Sequence, residues 1–394
     1  MRTSKNAKLL GTSSPLLAIY GISLLQESTK CDIMYAIIRA RGMTMNITFL
    51  IGNGFYLNLG LDTRYTDFLS KYKEDVEKGE EYFKERVLED LPLWANAEEA
   101  FGAVTKKFKE DGYDAETFCN CHEDFCVKLA EYLLAQEQRL NYSALNSTIV
   151  PNFAKAILNY KNGFRDNERD ILREAEKQFS GGYIFSFINF NYTQTLDLCV
   201  EAVKNQAGVL GTRAIGGNRL NNSIGSIIHV HGTVHDDIVL GVNDESQISD
   251  ITLFDGFGDE YCSQIIKQKT NEINQRNTDS KTHTLLKNSD LIYVYGMSTG
   301  VTDSLWWKRI CALMQSKRNI HLILHRYGAP KDELIRRRLI TYIKNERNEF
   351  LKYCENDEQR LAIQDRIHID RTNLFESISN LVDNEANTKL LVSV

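Results

Sequence analysis

Six short apolar runs constrain the fold of this chain more than any other feature. They are NITFLIG (46–52), GYIFSFINF (182–190), SIIHVHG (226–232), DIVLGV (237–242), LIYVYG (291–296) and NIHLILHRYG (319–328). Several are apolar at successive positions, which is typical of strands covered on both faces in a parallel sheet. Five end at a glycine or a polar cluster, and the carboxyl edge of such a sheet is where ligands bind. The pattern predicts a parallel α/β core, and RIHID (366–370) is expected to add an edge strand.

The interval between the first two runs predicts a helical insertion. About 130 residues there carry no strand pattern, and their apolar side chains recur with a spacing of 3.6 residues. The sequence predicts five segments along the chain. An N-terminal extension outside the core (1–44) is followed by the first strand and glycine-rich loop of the core (45–64) and by the helical insertion (65–180). The rest of the core (181–330) and a C-terminal helical segment with the edge strand (331–394) complete the chain.

The extension resembles a secretory signal only faintly. Three basic residues precede LLGTSSPLLAIYGISLL, but Gly11 and Pro15 interrupt this run, and no convincing cleavage site follows it. Met43 and Met45 stand directly before the first strand. The sequence therefore favours an upstream extension rather than a structural part of the core.

Composition limits the cellular compartment and the binding partners that are expected for this protein. The chain is 42% hydrophobic and 25% charged, as expected of a soluble globular protein, and no run of about 18 apolar residues predicts a membrane span. A net charge of −6 argues against coating nucleic acid. Eight cysteines without paired spacing indicate reduced thiols and a cytoplasmic protein.

The first candidate binding motif is the glycine turn after the first run. Gly52, Asn53 and Gly54 followed by Phe55 suit a loop whose amides bind diphosphate. The dinucleotide fingerprint needs a third glycine, and Leu57 stands there instead. A simple tight turn is therefore the alternative.

Two later motifs place polar side chains at the ends of other strands. Asn191 follows the second run, where its amide is able to hold a ribose hydroxyl or a water, and Thr193 is expected to cap the next helix. In LIYVYGMSTGVTDS, the residues Gly296, Ser298 and Asp303 follow another buried strand. Because these loops meet at one edge of a parallel sheet, together they predict a ligand site.

Histidines follow the third run and admit two interpretations. His231, which ends a strand before a glycine, is well placed as a general base near pH 7, and His229 would point to the same side of the strand. With His235 the group also suggests a metal site, but Val234 stands where bimetallic hydrolases carry an aspartate. General base is favoured over metal ligand, and a structural His229 is expected.

A second candidate metal cluster lies in CNCHEDFC (119–126). Cys119, His122 and Cys126 would share one helical face, but their spacing matches no standard zinc pattern. A helix that buries small thiols explains them as well. No metal ligand is predicted.

The order of these motifs resembles the bacteriophage abortive infection AbiH family. The resemblance rests on FLIGNGFYLNLGLDTRYTDFL, LWANAEEAFG (93–102), FNYT, IHVHG and YGMSTGVTDS, from about Met45 to about residue 330. That family is similar to the sirtuin-like NAD-processing fold, a Rossmann-type parallel sheet. The resemblance implies that Gly52 and Gly54 face the diphosphate and Asn191 the nicotinamide ribose. It places His231 as the catalytic histidine and Gly296 with Ser298 at the adenosine half, and it assigns no role to Glu98.

The chain departs from these patterns at several positions. Tyr56 replaces the family's usual aspartate, Arg64 stands where a small hydroxyl residue is common, and Thr193 replaces a sirtuin aspartate. Only Cys262 lies where deacylating sirtuins hold four zinc-binding cysteines, which disfavours protein deacylation.

What remains favoured is a phage-defence effector that hydrolyses NAD, with NAD as substrate and no cofactor required. A metal-dependent hydrolase or nuclease built on His229, His231 and His235 is one alternative, and a non-catalytic nucleotide sensor is the other. The partners expected are NAD or a related nucleotide and a phage-derived trigger, with no membrane and no nucleic acid. Homo-oligomers are left open.

Overall fold

The apolar runs form a parallel sheet, and they do so close to the expected residues. The computed structural model describes residues 44–72, 84–85, 87, 89–140, 145–215, 217–274, 276–328, 336–379 and 381–382. In chain order the strands are β1 (Met45–Ile51), β2 (Tyr183–Asn189), β3 (Thr212–Ile215), β4 (Asn218–Asn221), β5 (Ser223–His229), β6 (Leu291–Tyr295), β7 (His321–His325) and β8 (Ile367–Asp370). All but β3 and β4, which pair as a small antiparallel hairpin, belong to the main sheet.

The main sheet has the strand order β5-β2-β1-β6-β7-β8, and all of its pairs are parallel. This is the doubly wound order of Rossmann-type sheets, in which the winding direction reverses between the two central strands. Here the reversal falls between β1 and β6. The predicted parallel α/β core is confirmed, and β8 is the edge strand expected from RIHID.

Both faces of the sheet are buried, which explains the continuous apolar runs. Ile47, Phe49 and Phe187 pack in a cluster on one face, while Leu50 and Ile188 pack in a separate cluster on the other. Successive side chains of a strand point to opposite faces, so a strand covered on both sides needs apolar residues at every position.

Helices fill the interval between β1 and β2, and further helices follow β2, β5, β6 and β7. In chain order they are α1 (Gly54–Leu59), α2 (Tyr65–Tyr72), α3 (Leu91–Trp94), α4 (Ala97–Glu110), α5 (Ala115–Glu137), α6 (Val150–Leu158), α7 (Asp166–Glu176), α8 (Thr195–Asn205), α9 (Asp259–Gln264), α10 (Lys267–Ile273), α11 (Thr278–Lys287), α12 (Ser304–Ser316), α13 (Arg336–Leu351) and α14 (Asp357–Ile363). Helices thus occupy the interval in which the sequence predicts a helical insertion. The predicted extension, up to residue 43, and part of the insertion (73–83) lie outside the described residues.

A third hydrophobic cluster joins the helical insertion to the chain that follows β5. We call this unit the helical lobe, formed by α2–α5 and residues 234–266. Trp94, Phe101 and Phe125 pack there with Leu240 and Val242. The lobe therefore has its own core and lies against the polar edge of the sheet.

The prediction of a strand at DIVLGV (237–242) is wrong. This segment makes only isolated bridges, between Gly232 and Ile238 and between Val242 and Ile266. Its apolar residues are buried in the core of the helical lobe rather than in the sheet. A short apolar run reports burial but does not distinguish a strand from a buried loop.

Candidate functional site

The sheet and the helical lobe enclose a cavity at the carboxyl ends of β1, β2 and β6. This central cavity has a volume of about 480 Å³, and residues from both units line it, among them Asn53, Glu98, Asn191, His231, Ser298 and Asp303. A second cavity of about 720 Å³, the Arg326 cavity, lies on the other side of the loop after β6. Asn53, Arg64 and Gly296–Ser298 line both cavities, so the two adjoin at the point where the sheet reverses.

Most of the predicted site residues lie together. Gly52, Asn53, Asn191, His231, Gly296, Ser298 and Asp303 all line the central cavity, and Gly54 lines the Arg326 cavity. Phe55 differs, because its side chain is fully buried against Phe153 and Phe375 in the core. Phe55 is therefore corrected from a binding residue to a core residue.

The glycine loop packs closely against the loop that follows β6. The Gly52 amide donates to the Tyr295 carbonyl and the Gly54 amide donates to the Gly296 carbonyl, each at 2.9 Å. A Cβ atom on Gly54 would lie 2.5 Å from the Gly296 Cα atom. The need for glycine at position 54 thus comes from the neighbouring backbone, and its amide is already paired within the protein.

Side chains at the end of β2 hold the Asn191 loop in place. The Asn191 Nδ2 atom donates to the Ile51 carbonyl at 3.2 Å and to the Asn189 Oδ1 atom at 3.0 Å. The Tyr56 hydroxyl accepts from Asn189 at 2.9 Å and donates to the Thr193 carbonyl at 3.3 Å. Tyr56 therefore supports this loop through its hydroxyl group.

The expected helix cap at Thr193 is wrong. The helix α8 begins at Thr195 with Gln194 as its N-cap residue, and the buried Thr193 Oγ1 atom has no hydrogen-bond partner. The Glu137 carboxylate of the helical lobe instead accepts from the Gln194 amide. This bond to the N-cap residue comes from a carboxylate 57 positions away in sequence, and no local sequence pattern could indicate it.

His229 and His231 have different environments. The strand β5 ends at His229, whose ring contacts the Asn191 carbonyl at 3.0 Å and the Asp197 carboxylate at 2.8 Å. These two acceptors fix its orientation, in agreement with the expected structural His229. His231 lies beyond the strand end, is 5% exposed, and packs near the rings of Phe190 and Tyr192.

The electrostatics of His231 do not suit a base near pH 7. Burial lowers the pKa of His231 well below its usual 6.5, and the neighbouring Lys267 and His229 lower it further. Its buried Nδ1 atom has no hydrogen-bond partner. His231 is therefore a neutral imidazole able to make hydrogen bonds to a ligand, but it holds a proton poorly at neutral pH.

Charged side chains cluster beside His231. The Lys267 ammonium lies 2.7 Å from the Glu98 carboxylate, and their side chains are only 5% and 13% exposed. Burial raises the pKa of Asp303 to about 7; Lys267 opposes this rise and Glu98 adds to it. Asp303 and Glu98 line the central cavity, and Lys267 lines a third cavity of about 440 Å³, the Lys267 cavity, on the other side of His231.

Sequence reasoning missed Lys267 and left Glu98 without a role. Lys267 lies in the unremarkable segment KQKTNEI at the start of α10, far in sequence from Glu98 on α4. The one available signal is that Lys267 directly follows two buried isoleucines, Ile265 and Ile266. A lysine in such a position needs a partner, but the sequence does not identify that partner.

The candidate metal clusters do not assemble. The His235 ring contacts Glu137 at 3.1 Å, while His229 is held by Asp197. His122 bonds to the Leu240 carbonyl at 3.0 Å, and Cys119 contacts the Tyr261 carbonyl. Within the described part of the chain, no three histidine, cysteine or acidic side chains are grouped so that they could hold a metal ion.

Comparisons with known proteins place the chain in a family. No described helix is long and apolar enough to cross a membrane, and no curated protein matches the chain. A family model described as bacteriophage abortive infection AbiH matches residues 48–325. Because this match covers more than half of the chain and every residue that lines the central cavity, the chain belongs to the bacteriophage abortive infection AbiH family.

Proposed function

We propose that this protein is an abortive-infection effector that hydrolyses NAD to nicotinamide and ADP-ribose. Membership of the AbiH family suggests the role in phage abortive infection. The observation that carries the enzymatic proposal is the pair of adjoining cavities at the reversal point between β1 and β6. Doubly wound sheets bind dinucleotides across this crevice, and two cavities that share a wall match the two nucleoside halves of such a ligand.

In this proposal the ligand extends from one cavity to the other. The nicotinamide riboside lies in the central cavity beside Asn191 and His231, and the adenosine lies in the Arg326 cavity. The diphosphate then passes the shared wall, which includes Arg64 and Ser298. The Arg64 side chain is 58% exposed and makes only a loose contact of 3.7 Å with Asp67, so it is available to phosphate oxygens.

The polar groups of the central cavity suit cleavage of the nicotinamide–ribose bond. Nicotinamide leaves as a neutral base, so the site must hold the ribose, stabilise an oxocarbenium-like centre and admit water. Both recorded bonds of the Asn191 side chain are made by its Nδ2 atom, which leaves Oδ1 to accept from a ribose hydroxyl or a water. The neutral His231 ring is suited to bond a ribose hydroxyl.

Depletion of NAD would connect this chemistry to abortive infection. A cell that loses its NAD stops supporting phage replication, and such an enzyme must stay silent until infection. We therefore expect a phage-derived trigger to control the activity.

The decisive assay is nicotinamide release. Purified protein is incubated with NAD and EDTA, with and without lysate of phage-infected cells, and nicotinamide is quantified by chromatography. We expect release in the presence of EDTA, and a loss of about 10²-fold or more in His231→Gln because a positioned hydrogen bond is removed. His283→Gln, which changes an exposed histidine on α11, serves as the matched control.

Each other outcome excludes part of the proposal. Activity that disappears with EDTA would support the metal-dependent alternative. NAD binding without hydrolysis in every condition would support the nucleotide sensor. A folded His231→Gln protein with the parent rate would remove His231 from the site.

Arg64 provides a separate test of the binding mode. Replacing Arg64 by alanine is expected to weaken NAD binding by about 1 kcal/mol, or about fivefold in Kd, and to reduce the salt dependence of binding. Arg173 is the matched control, since it is 53% exposed and pairs with Asp170 at the same i,i+3 spacing as Arg64 with Asp67. Calorimetry at two salt concentrations measures both effects. Equal affinities of the Arg64→Ala and Arg173→Ala proteins would exclude the diphosphate from this wall.

A further inference from the structure

Asp303 occupies a helix-capping position without acting as a cap. It immediately precedes α12, where an aspartate normally accepts a hydrogen bond from a backbone amide of the first turn. The Asp303 side chain makes no such bond. It is instead part of the wall of the central cavity, together with Asn191 and His231. This carboxyl group is therefore available to a molecule in the cavity.

The other groups of the cavity do not provide a base for neutral pH. His231 has an unpaired, buried Nδ1 atom, but burial lowers its pKa well below 6.5. Glu98 is the other carboxylate that lines the cavity, and it contacts the Lys267 ammonium at 2.7 Å. Among the described residues, Asp303 is thus the one carboxyl group of this wall for which no ion pair or side-chain hydrogen bond is recorded.

The surroundings of Asp303 set its protonation. Lys267 on α10 and Glu98 on α4 act on it with opposite signs. Tyr65 on α2 and Tyr353 after α13 are close enough that the Asp303 charge raises the pKa of each. The net effect of these groups and of burial is a pKa of about 7 for Asp303, close to the value at which a general base is most effective in a cell.

We propose that Asp303 is the general base that takes the proton from the attacking water in this site. The inference rests on the proposed function. Water attacks the anomeric carbon of the nicotinamide-bearing ribose as the bond from that carbon to the ring nitrogen breaks. The bonding electron pair goes to nicotinamide, which leaves as a neutral molecule. Asp303 accepts the water proton and later releases it to solvent, so that NAD and water give nicotinamide, ADP-ribose and one proton.

The first test compares two aspartates at helix starts. Asp303→Asn is expected to lower kcat by about 10²- to 10⁴-fold while NAD affinity, measured by calorimetry, stays within about threefold of the parent. Asp303→Glu is expected to recover part of the lost rate, because it restores a carboxylate one methylene further along. Asp114→Asn is the matched control, since Asp114 caps α5 through a bond of 2.8 Å from the Thr117 amide and lies on the exposed surface. It should hydrolyse NAD at the parent rate.

The second test is the pH dependence of kcat/KM, which the variants would leave unchanged if the role of Asp303 were purely structural. In the parent, kcat/KM should fall as pH decreases through about 7, because Asp303 becomes protonated. Glu98→Gln removes a neighbouring negative charge and should move this fall to lower pH. If Glu98→Gln does not fold, the profile of Asp303→Glu is compared with that of the parent instead.

The outcomes separate this inference from the proposed function. If the parent releases nicotinamide but folded Asp303→Asn does so at the same rate, Asp303 is not the base and the NAD hydrolase stands. If Asp303→Asn loses activity but Asp303→Glu recovers none and the acid limb does not depend on Glu98, Asp303 has only a structural role. A parent that releases no nicotinamide in any condition would overturn both proposals.

Discussion

At the scale of single residues, the glycine loop shows that one sequence motif fits two different physical causes. The sequence indicates that Gly52 and Gly54 allow close approach of another group. The approaching group is the loop after β6, where Gly296 has a φ of 69° and lies against the Gly54 backbone. The two loops follow the adjacent, hydrogen-bonded strands β1 and β6, so they begin side by side at the carboxyl edge of the sheet. The sequence could not indicate which group approaches, since the glycines alone fit both a backbone and a phosphate.

Gly54→Ala should therefore act first on stability. A Cβ atom at this position would lie 2.5 Å from the Gly296 Cα atom, so one of the two loops must shift. Overpacking of this kind costs about 1 to 3 kcal/mol in the free energy of unfolding, which urea denaturation measures. Gly300→Ala is the control, because its nearest contact would be the Ser298 hydroxyl at 3.3 Å and its φ is −75°. Equal stability of the two variants would contradict the close approach.

At the scale of helices and strands, sequence periodicity predicts much of the architecture. The strands β1, β2, β6, β7 and β8 appear as apolar runs because both of their faces are largely buried, as expected of a doubly wound fold, whereas the edge strand β5 is partly exposed. The same signal fails at 237–242, where burial in the helical lobe mimics a strand. The hairpin of β3 and β4 is not predicted, because its residues are largely exposed and carry little apolar pattern.

The candidate site is predictable only in part, for a related reason. Asn191, His231, Ser298 and Asp303 follow strands, so the parallel sheet brings them to one edge. Glu98 comes from the lobe helix α4 and Lys267 from α10, which directly follows the lobe, and their positions depend on tertiary packing. No rule of spacing relates two helices that are so far apart in sequence. The strand-end half of the site can therefore be predicted from sequence, and the half that comes from α4 and α10 cannot.

The Lys267–Glu98 pair links α4 to α10, and breaking it should be costly. Both side chains are largely buried, so removing Glu98 leaves an ammonium group without its counter-ion in a poorly solvated place. We expect Glu98→Ala to lower the free energy of unfolding by about 3 to 5 kcal/mol, and the double variant with Lys267→Met to recover most of this loss. Denaturant unfolding of the parent, both single variants and the double variant gives the coupling energy. Additive effects of the two changes would show that the pair does not interact.

At the scale of the whole molecule, the site exists only because two units meet. The sheet alone would expose its carboxyl edge, and the helical lobe closes the central cavity over that edge with Tyr65 and Glu98. The Glu137 carboxylate of the lobe also bonds the Gln194 amide at the start of α8. The family match, over residues 48–325, includes the helical lobe and the strand ends that line the central cavity.

Buried histidines in several parts of the molecule should make it sensitive to mild acid. Burial lowers the pKa of His122, His321 and His325 to about 4, that of His368 to about 3, and that of His231 well below 6.5. Between pH 6.5 and about 4 the unfolded chain binds protons that the folded chain does not. Stability is therefore fully present above pH 6.5 and is lost as pH falls through this window. Because the pKa of Asp303 is raised in the folded protein, its contribution to stability has the opposite pH dependence and offsets only part of the stability that the histidines lose.

His122→Gln isolates the contribution of one of these groups. His122 is 4% exposed and contacts the Leu240 carbonyl at 3.0 Å, a bond that a glutamine amide is able to replace. Between pH 7 and pH 5 each such histidine should remove about 2 kcal/mol from the free energy of unfolding, and several together approach the whole stability of a domain. Urea unfolding should be measured at pH values of about 7.5, 6.5, 5.5 and 5.0. The free energy of unfolding of the variant should depend less steeply on pH than that of the parent, by about one bound proton. If parent and variant lose stability in parallel, His122 is already charged in the folded protein, and the acid sensitivity has another source.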